Sequence, residues 1–160
     1  MSKVYLSIGS NKGNRSVLIN KAIDEIEKKV GKIISRSSIY QSKSWGFDSN
    51  DFYNLCLLID TDIVPKSLLV NLKKIEKSMG REDIDGSYSD RFIDIDILFY
   101  DNIITDSEDL KIPHPKIEIR KFVLVPMLEI ADNYVHPILN KTIKELDNDC
   151  SDKDTPLKII

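Results

Sequence analysis

Asp94 and Asp96 stand two residues apart inside an aliphatic run, Arg91-Phe92-Ile93-Asp94-Ile95-Asp96-Ile97-Leu98. Residues two apart on a strand face the same way, so the carboxylates share one face while Ile93, Ile95 and Ile97 share the other. Two like charges side by side repel, and burying them unpaired is costly. A divalent cation removes that cost. Hard oxygen ligands on a rigid strand suit Mg²⁺, which takes one or two carboxylates and completes its shell with water and substrate oxygens. By pattern alone the pair reads equally well as two solvated aspartates on an exposed sheet face. Three features favour the metal. Aspartate is disfavoured inside strands, Arg91 stands just before the pair, and a polar segment containing Arg81 leads into it.

The flanking sequence must build the sheet that presents this strand. Val4, Leu6 and Ile8 alternate with Tyr5 and Ser7 and are followed by Gly9-Ser10-Asn11, a strand and its stop. Leu18, Ala22, Ile26 and Val30 recur every four residues as one helix face, with Gly31 at its end. Ile33 to Tyr40 reads as one strand, Gln41 to Asp51 as a loop, and Phe52 to Thr61 as a long strand. In that strand Tyr53, Leu55, Leu57 and Ile59 share the core face, and Phe52, Asn54 and Cys56 the opposite one. Pro65 suits a helix start, Leu68, Leu72, Ile75 and Met79 its apolar stripe, and Gly80 its C-cap. Arg81 to Asp90 is an aperiodic polar loop, and Ile112-Pro113-His114-Pro115 a rigid extended stretch. Val123 to Ala131 is helical with Pro126 expected in the first turn, Thr142 to Leu146 a short helix, and residues 147–160 a frayed tail. The order β-α-β, β-α-β fits a single ferredoxin-like α+β domain over 1–160, its helices on one face of a mostly antiparallel sheet.

Composition excludes several classes. At 160 residues and 41% hydrophobic the chain is expected to fold as one domain. The formal net charge is -3 with signs intermixed, so there is no field for nucleic acid or anionic lipid. Met1 to Ser10 lacks the apolar core of a signal peptide, and no stretch approaches the ~20 apolar residues of a membrane span. Cys56 and Cys150 form no disulfide or zinc pattern, Cys56 in an apolar run and Cys150 in the polar tail. A reduced, cytoplasmic monomer is expected.

Several segments in order resemble one family. They are Val4-Tyr-Leu-Ser-Ile-Gly-Ser-Asn11, Ser38-x-Tyr40, Trp45-Gly46, Asp51-Phe52-Tyr53-Asn54, Glu76 with Gly80-Arg81, and Arg91-x-x-Asp94-Ile-Asp96-Ile97-Leu98. Ile112-Pro113-His114-Pro115, Arg120-x-Phe122 and Pro126-x-x-Glu129-Ile130-Ala131 follow. Together they resemble the 6-hydroxymethyl-7,8-dihydropterin pyrophosphokinases of folate biosynthesis across roughly residues 3 to 147. Such an enzyme transfers pyrophosphate from ATP to the pterin's hydroxymethyl group and releases AMP.

The resemblance implies roles. Asp94 and Asp96 would hold two Mg²⁺ ions on the triphosphate, with Arg81 and Arg91 as catalytic cations at the phosphates. ATP would meet Lys73, Glu76, Arg91, Ile97, Lys111, His114 and Arg120. Phe52 and Phe122 would sandwich the pterin, while Asn54 and the backbone of Ser42, Lys43, Ser44 and Trp45 read its edges. Outside that context a lone strand Phe is a core residue, Arg81 a helix C-terminal cation, and a His between prolines a structural surface residue. His136 stands without an assigned partner.

The sequence departs from the family in the loop. Asp83, Ile84, Ser87 and Tyr88 stand where other members carry basic residues and a Trp, and Ser89-Asp90 replaces small residues or proline. Lys73, Asp109 and Lys111 also differ in type. Tyr88 is therefore expected to contribute packing to a lid that carries less positive charge. Two alternatives remain open at this level: another two-metal nucleotidyl transferase, which would release pyrophosphate, and a non-enzymatic ferredoxin-like ligand-binding module. At this length no fused folate-pathway enzyme is expected, though a complex with one stays open.

Overall fold

The computed structural model describes residues 1–43, 51–80 and 92–159. The central sheet contains β1 (Ser2–Ser10), β2 (Lys32–Arg36), β3 (Tyr40–Ser42), β4 (Phe52–Thr61), β5 (Asp94–Tyr100) and a short β8 (Leu157–Lys158). Its order is β5-β1-β4-β3-β8, with β2 also paired to β4, and every pairing is antiparallel. Two short strands, β6 (Thr105–Asp106) and β7 (Lys111–Ile112), form a separate ribbon. The helices are α1 (Arg15–Lys29), α2 (Pro65–Ser78), α3 (Lys121–Ala131) and α4 (Ile143–Asp149). This is the ferredoxin-like order, with the two β-α-β halves placing β5 and β1 side by side.

Alternation along the strands divides the side chains between two cores rather than one. Val4, Leu6, Ile8, Leu55, Leu57, Ile59, Ile95 and Ile97 meet α1 and α2 on the upper face. On the lower face Cys56, Leu98 and Phe99 meet Val123, Leu124 and Met127 of α3 and Ile143 and Leu146 of α4. Helices therefore cover both faces, whereas the sequence pattern implied one. The reason lies in the C-terminal third, whose apolar residues need a face of their own. β5 can serve both cores because it contains an irregularity. Tyr5 pairs with Phe99 and Leu6 with Ile97, so Leu98 is an extra residue, and Leu98 and Phe99 both turn downwards.

Three other expectations change. The stretch Ile33 to Tyr40 is two strands. Arg36 pairs with Leu57 and Tyr40 with Asn54, four steps against three, and the interruption is held by Ser37, whose N–H donates to Cys56 O while its Oγ accepts from Cys56 N. Pro126 lies inside α3, beyond its first turn, because the helix starts at Lys121. Its ring leaves the carbonyl of Phe122 without the usual intrahelical donor. The tail after 147 is not frayed: α4 runs to Asp149, Cys150 and Pro156 are buried, and β8 pairs with β3. His136 is buried against the Phe99 ring, and its Nδ1 accepts from the N–H groups of Ile138 and Leu139, a structural role.

Both cysteines are buried and free, and burial pushes the Cys56 thiol up, which makes it inert. Among the described residues no helix is long and apolar enough to cross a membrane.

Glu129 ties α3 to the sheet. Its carboxylate accepts from Ser38 N (2.9 Å), Ser38 Oγ (3.1 Å) and Tyr40 Oη (2.7 Å). Burial raises its affinity for a proton, but the hydrogen bonds from Tyr40 and Ser38 outweigh that and hold it below the usual carboxylate range. A carboxylate with a lowered folded pKa stabilises above its unfolded value and loses that contribution as pH falls through the folded one. Glu129→Ala is expected to lower unfolding free energy by about 1 kcal/mol at pH 7, the exposed position discounted. Denaturant titrations at stepped pH should show the gap between variant and parent closing as the pH falls below the ordinary glutamate value.

Candidate active site

The pairing of β4, β1 and β5 arranges the lower face in rows. Gly9 of β1 faces Asn54 of β4 on one side and Asp94 of β5 on the other. In the next row Ser7 stands between Cys56 and Asp96. Directly paired residues point to the same face. Asn54, Asp94 and Asp96 therefore share one surface, with Asn54 and Asp94 about 10 Å apart by backbone across two strand spacings.

Helix α3 covers the row of Cys56, whose thiol donates to Val123 O at 3.7 Å. Phe122, one residue earlier, lies at the margin of the lower core. The guanidinium of Arg120 sits 5.4 Å from the centre of its ring. Asn54 is buried and its Nδ2 donates to Ser42 Oγ at 3.1 Å, which leaves its Oδ1 as an acceptor. Phe52 stands over the same end of the floor, its ring 3.5 Å from where a Cβ on Gly9 would be. Thus Ser42, Phe52 and Asn54 gather at one end of the face, and Asp94 and Asp96 at the other.

The outer edge of β5 is fixed at two points. Glu76 of α2 is buried and its Oε2 accepts from Ile95 N at 2.8 Å, between the two aspartates. His114 N donates to Leu98 O at 3.0 Å. The Ile112–Pro113 peptide just before it is cis. Asp94 and Asp96 are each partly exposed. Among the described residues no third His, Cys, Asp or Glu joins them in a cluster able to hold a metal. That donor set fits Mg²⁺ completed by water and phosphate oxygens, rather than a closed protein cage.

His114 is set up as a neutral donor. Burial first, and then the Arg120 cation, push its imidazole down to about 4, with Asp94 opposing. Its Nδ1 accepts from Lys116 N at 3.2 Å, which assigns the proton to Nε2. At neutral pH it can donate to an oxyanion without carrying charge.

The remaining expected nucleotide contacts divide. Lys73 is exposed on α2, and Lys111 is exposed and 3.8 Å from Asp106. The side chain of Ile97 is buried in the upper core. Lys43 is exposed at the end of the β3 strand. Ser44, Trp45, Arg81, Tyr88 and Arg91 lie outside the described residues.

Two anchoring sets carried no role in the sequence reading. Arg15 Nη1 donates to Asp51 O at 2.6 Å and Gln41 Nε2 to Asp51 Oδ2 at 2.9 Å, which fixes the chain just before Phe52. Phe92 packs against both Gly13 and Gly80, so Gly80 and Phe92 meet in space. Gly80 has φ +95°, and a Cβ there would lie 2.9 Å from the Phe92 ring. No periodic signal marks such contacts, because each joins segments distant in sequence.

The chain is similar to known proteins. The family model for 7,8-dihydro-6-hydroxymethylpterin-pyrophosphokinase matches residues 5–132. The chain is 42% identical over 146 residues to a 2-amino-4-hydroxy-6-hydroxymethyldihydropteridine pyrophosphokinase of Aquifex aeolicus, covering 91% of this chain and 90% of that protein. It is 42% identical over 141 residues to the folic acid synthesis protein fol1 of Pneumocystis carinii, of which it spans only 19%. A solved HPPK-DHPS in complex with substrates superposes with a TM-score of 0.75 at 20% identity, covering 92% of this chain and 43% of that one. The wild-type HPPK-DHPS of Plasmodium falciparum gives 0.74 at 20% identity, with 92% and 44% covered. These two likenesses concern the fold, and the chain spans less than half of either. With its Asp-Ile-Asp strand and its ferredoxin-like sheet, the chain belongs to the 7,8-dihydro-6-hydroxymethylpterin-pyrophosphokinase family.

Proposed function

We propose that the protein transfers pyrophosphate from ATP to the hydroxymethyl group of 6-hydroxymethyl-7,8-dihydropterin and releases AMP, a step of folate biosynthesis. The observation that carries the reading is the shared face, with Asn54 and Asp94 in one row on either side of Gly9 and Asp96 in the next. A flat ring held at the Asn54 end can direct a substituent toward the carboxylates. Family membership and the named relatives support the same reaction.

Each described residue has a chemical part. Phe52 and Phe122 offer π-faces to the pterin, and Asn54 Oδ1 accepts from its edge while Nδ2 stays with Ser42. The hydroxymethyl oxygen attacks the β-phosphorus. A new O–P bond forms, the bond from that phosphorus to the α,β-bridging oxygen breaks, and the hydroxyl proton is lost. Asp94 and Asp96 would hold Mg²⁺, two ions in this reading, which when bound would supply charge neutralisation along the triphosphate. His114 donates from Nε2 to a phosphate oxygen, and Arg120 beside it adds a permanent cation. Arg81 and Arg91 serve the phosphates, and Lys73 and Lys111 reach the nucleotide from exposed positions. Glu76 holds the Ile95 N–H, and with it the spacing of the two aspartates.

The protein incubated with MgATP and 6-hydroxymethyl-7,8-dihydropterin is expected to form AMP, measured by chromatography, and none when the pterin is omitted. The absence of AMP from the complete mixture would reject the function. Asp94→Ala and Asp96→Ala should each lower turnover at least ~100-fold, several kcal/mol of lost charge stabilisation, with pterin binding in the absence of ATP retained. Glu76→Ala should destabilise by about 1–3 kcal/mol, because a buried N–H loses its acceptor. It should also raise the Mg²⁺ concentration for half-maximal rate, whereas Glu76→Gln, still an acceptor, stays near the parent in both denaturant and Mg²⁺ titrations.

A further inference from the structure

Gly9 lies in the strand interior between the two halves of the site, and nothing in its backbone demands glycine. Among the described residues the glycines with positive φ are Gly13 and Gly80, so Gly9 has a conformation open to any residue. What it lacks is room. A Cβ at Gly9 would lie 2.6 Å from Asn54 Oδ1, well inside van der Waals contact, and 3.5 Å from Phe52 Cδ1. The Asn54 amide thus rests on the bare backbone of β1. It cannot swing aside freely, because Asn54 is 4% exposed and its Nδ2 is bonded to Ser42 Oγ at 3.1 Å.

We propose that Gly9 is a positioning residue for pterin recognition: by leaving its Cβ site empty it lets the Asn54 amide lie across β1 with Nδ2 on Ser42 and Oδ1 presented to the ligand. The proposal rests on the assignment of Asn54 to the pterin made above. A methyl at position 9 pushes Oδ1 away and either breaks the bond to Ser42 or tilts the acceptor out of the plane of a ring stacked on Phe52. The effect is confined to the Asn54 side of Gly9. Asp94, on the other side, keeps its backbone pairing with β1.

The test is a double-mutant cycle of Gly9→Ala and Asn54→Ala, with calorimetric titration of the pterin substrate and of a non-hydrolysable ATP analogue with Mg²⁺. Gly9→Ala is expected to weaken pterin binding about tenfold, the scale of one lost hydrogen bond. The ATP analogue should bind within about twofold of the parent, since sites without shared partners behave independently. In the Asn54→Ala background the added methyl has space, so Gly9→Ala should cost less than about twofold more, a non-additivity expected only of touching residues. Equal penalties in both backgrounds, an equal loss for the ATP analogue, or no penalty at all would overturn the proposal. Should Gly9→Ala fail to fold, recovery of folding in the double variant supports the clash, and failure of both refutes it. A parent protein that does not bind the pterin would sink the proposed function instead. The unfolding free energies of the four proteins would still decide whether Gly9 and Asn54 are coupled.

Discussion

The register that sets β1 between β4 and β5 is the constraint on which the rest of the site depends. A slip of one residue in either pairing would exchange the faces of a strand. Asp94 and Asp96 would then enter the upper core among Ile19, Leu68 and Leu72, and Ile95 would meet solvent. The aliphatic partners prevent that slip. Leu6, Ile8, Ile95 and Ile97 are buried together against α1 and α2, so the hydrophobic effect that holds the domain together also turns both carboxylates outwards. Stability and chemistry are thus written on alternate residues of the same strand.

A strand so loaded with negative charge at the sheet edge needs support beyond β1. It comes from the side opposite the pairing, where Glu76 holds the Ile95 N–H and the main chain of His114 holds Leu98 O. The other half of the face is supported from beneath. Glu129 ties Ser38 and Tyr40 to α3, the helix that carries Phe122, so the segment leading into Ser42 is anchored to that helix. The floor between the two halves is kept clear by a residue with no side chain. In the proposed function this face takes one planar and one polyanionic ligand side by side.

Much of this was legible in the sequence because it follows period. The alternation around Asp94 and Asp96, the four-residue recurrence of α1 and the Pro65 start of α2 each follow from local rules, and each appears in the structure. What the pattern missed is what depends on partners far along the chain. Glu76 was grouped with nucleotide contacts, yet its burial and its bond to Ile95 come from the packing of α2 on β5. Cys150 and Pro156 looked like a polar tail, but a single apolar residue among polar neighbours is enough when a strand edge and a second core await it. The split between β2 and β3 arises from Ser37 meeting Cys56, a contact that no property of Ile33 to Tyr40 announces. The role of Gly9 was hidden for the opposite reason: a glycine after a strand reads as a stop, and only the position of Asn54 shows that it is a gap.

The central claim is that one face brings a nucleotide's phosphates, gripped at Asp94 and Asp96, to a hydroxyl held at Asn54, so that the β- and γ-phosphates leave together. ATP labelled at the β-phosphorus tests it most directly. After incubation with Mg²⁺ and 6-hydroxymethyl-7,8-dihydropterin, the label is expected in the pterin diphosphate, with unlabelled AMP in equal amount. Label in free pyrophosphate with the nucleotide joined to the acceptor, or label retained in ADP, would contradict it.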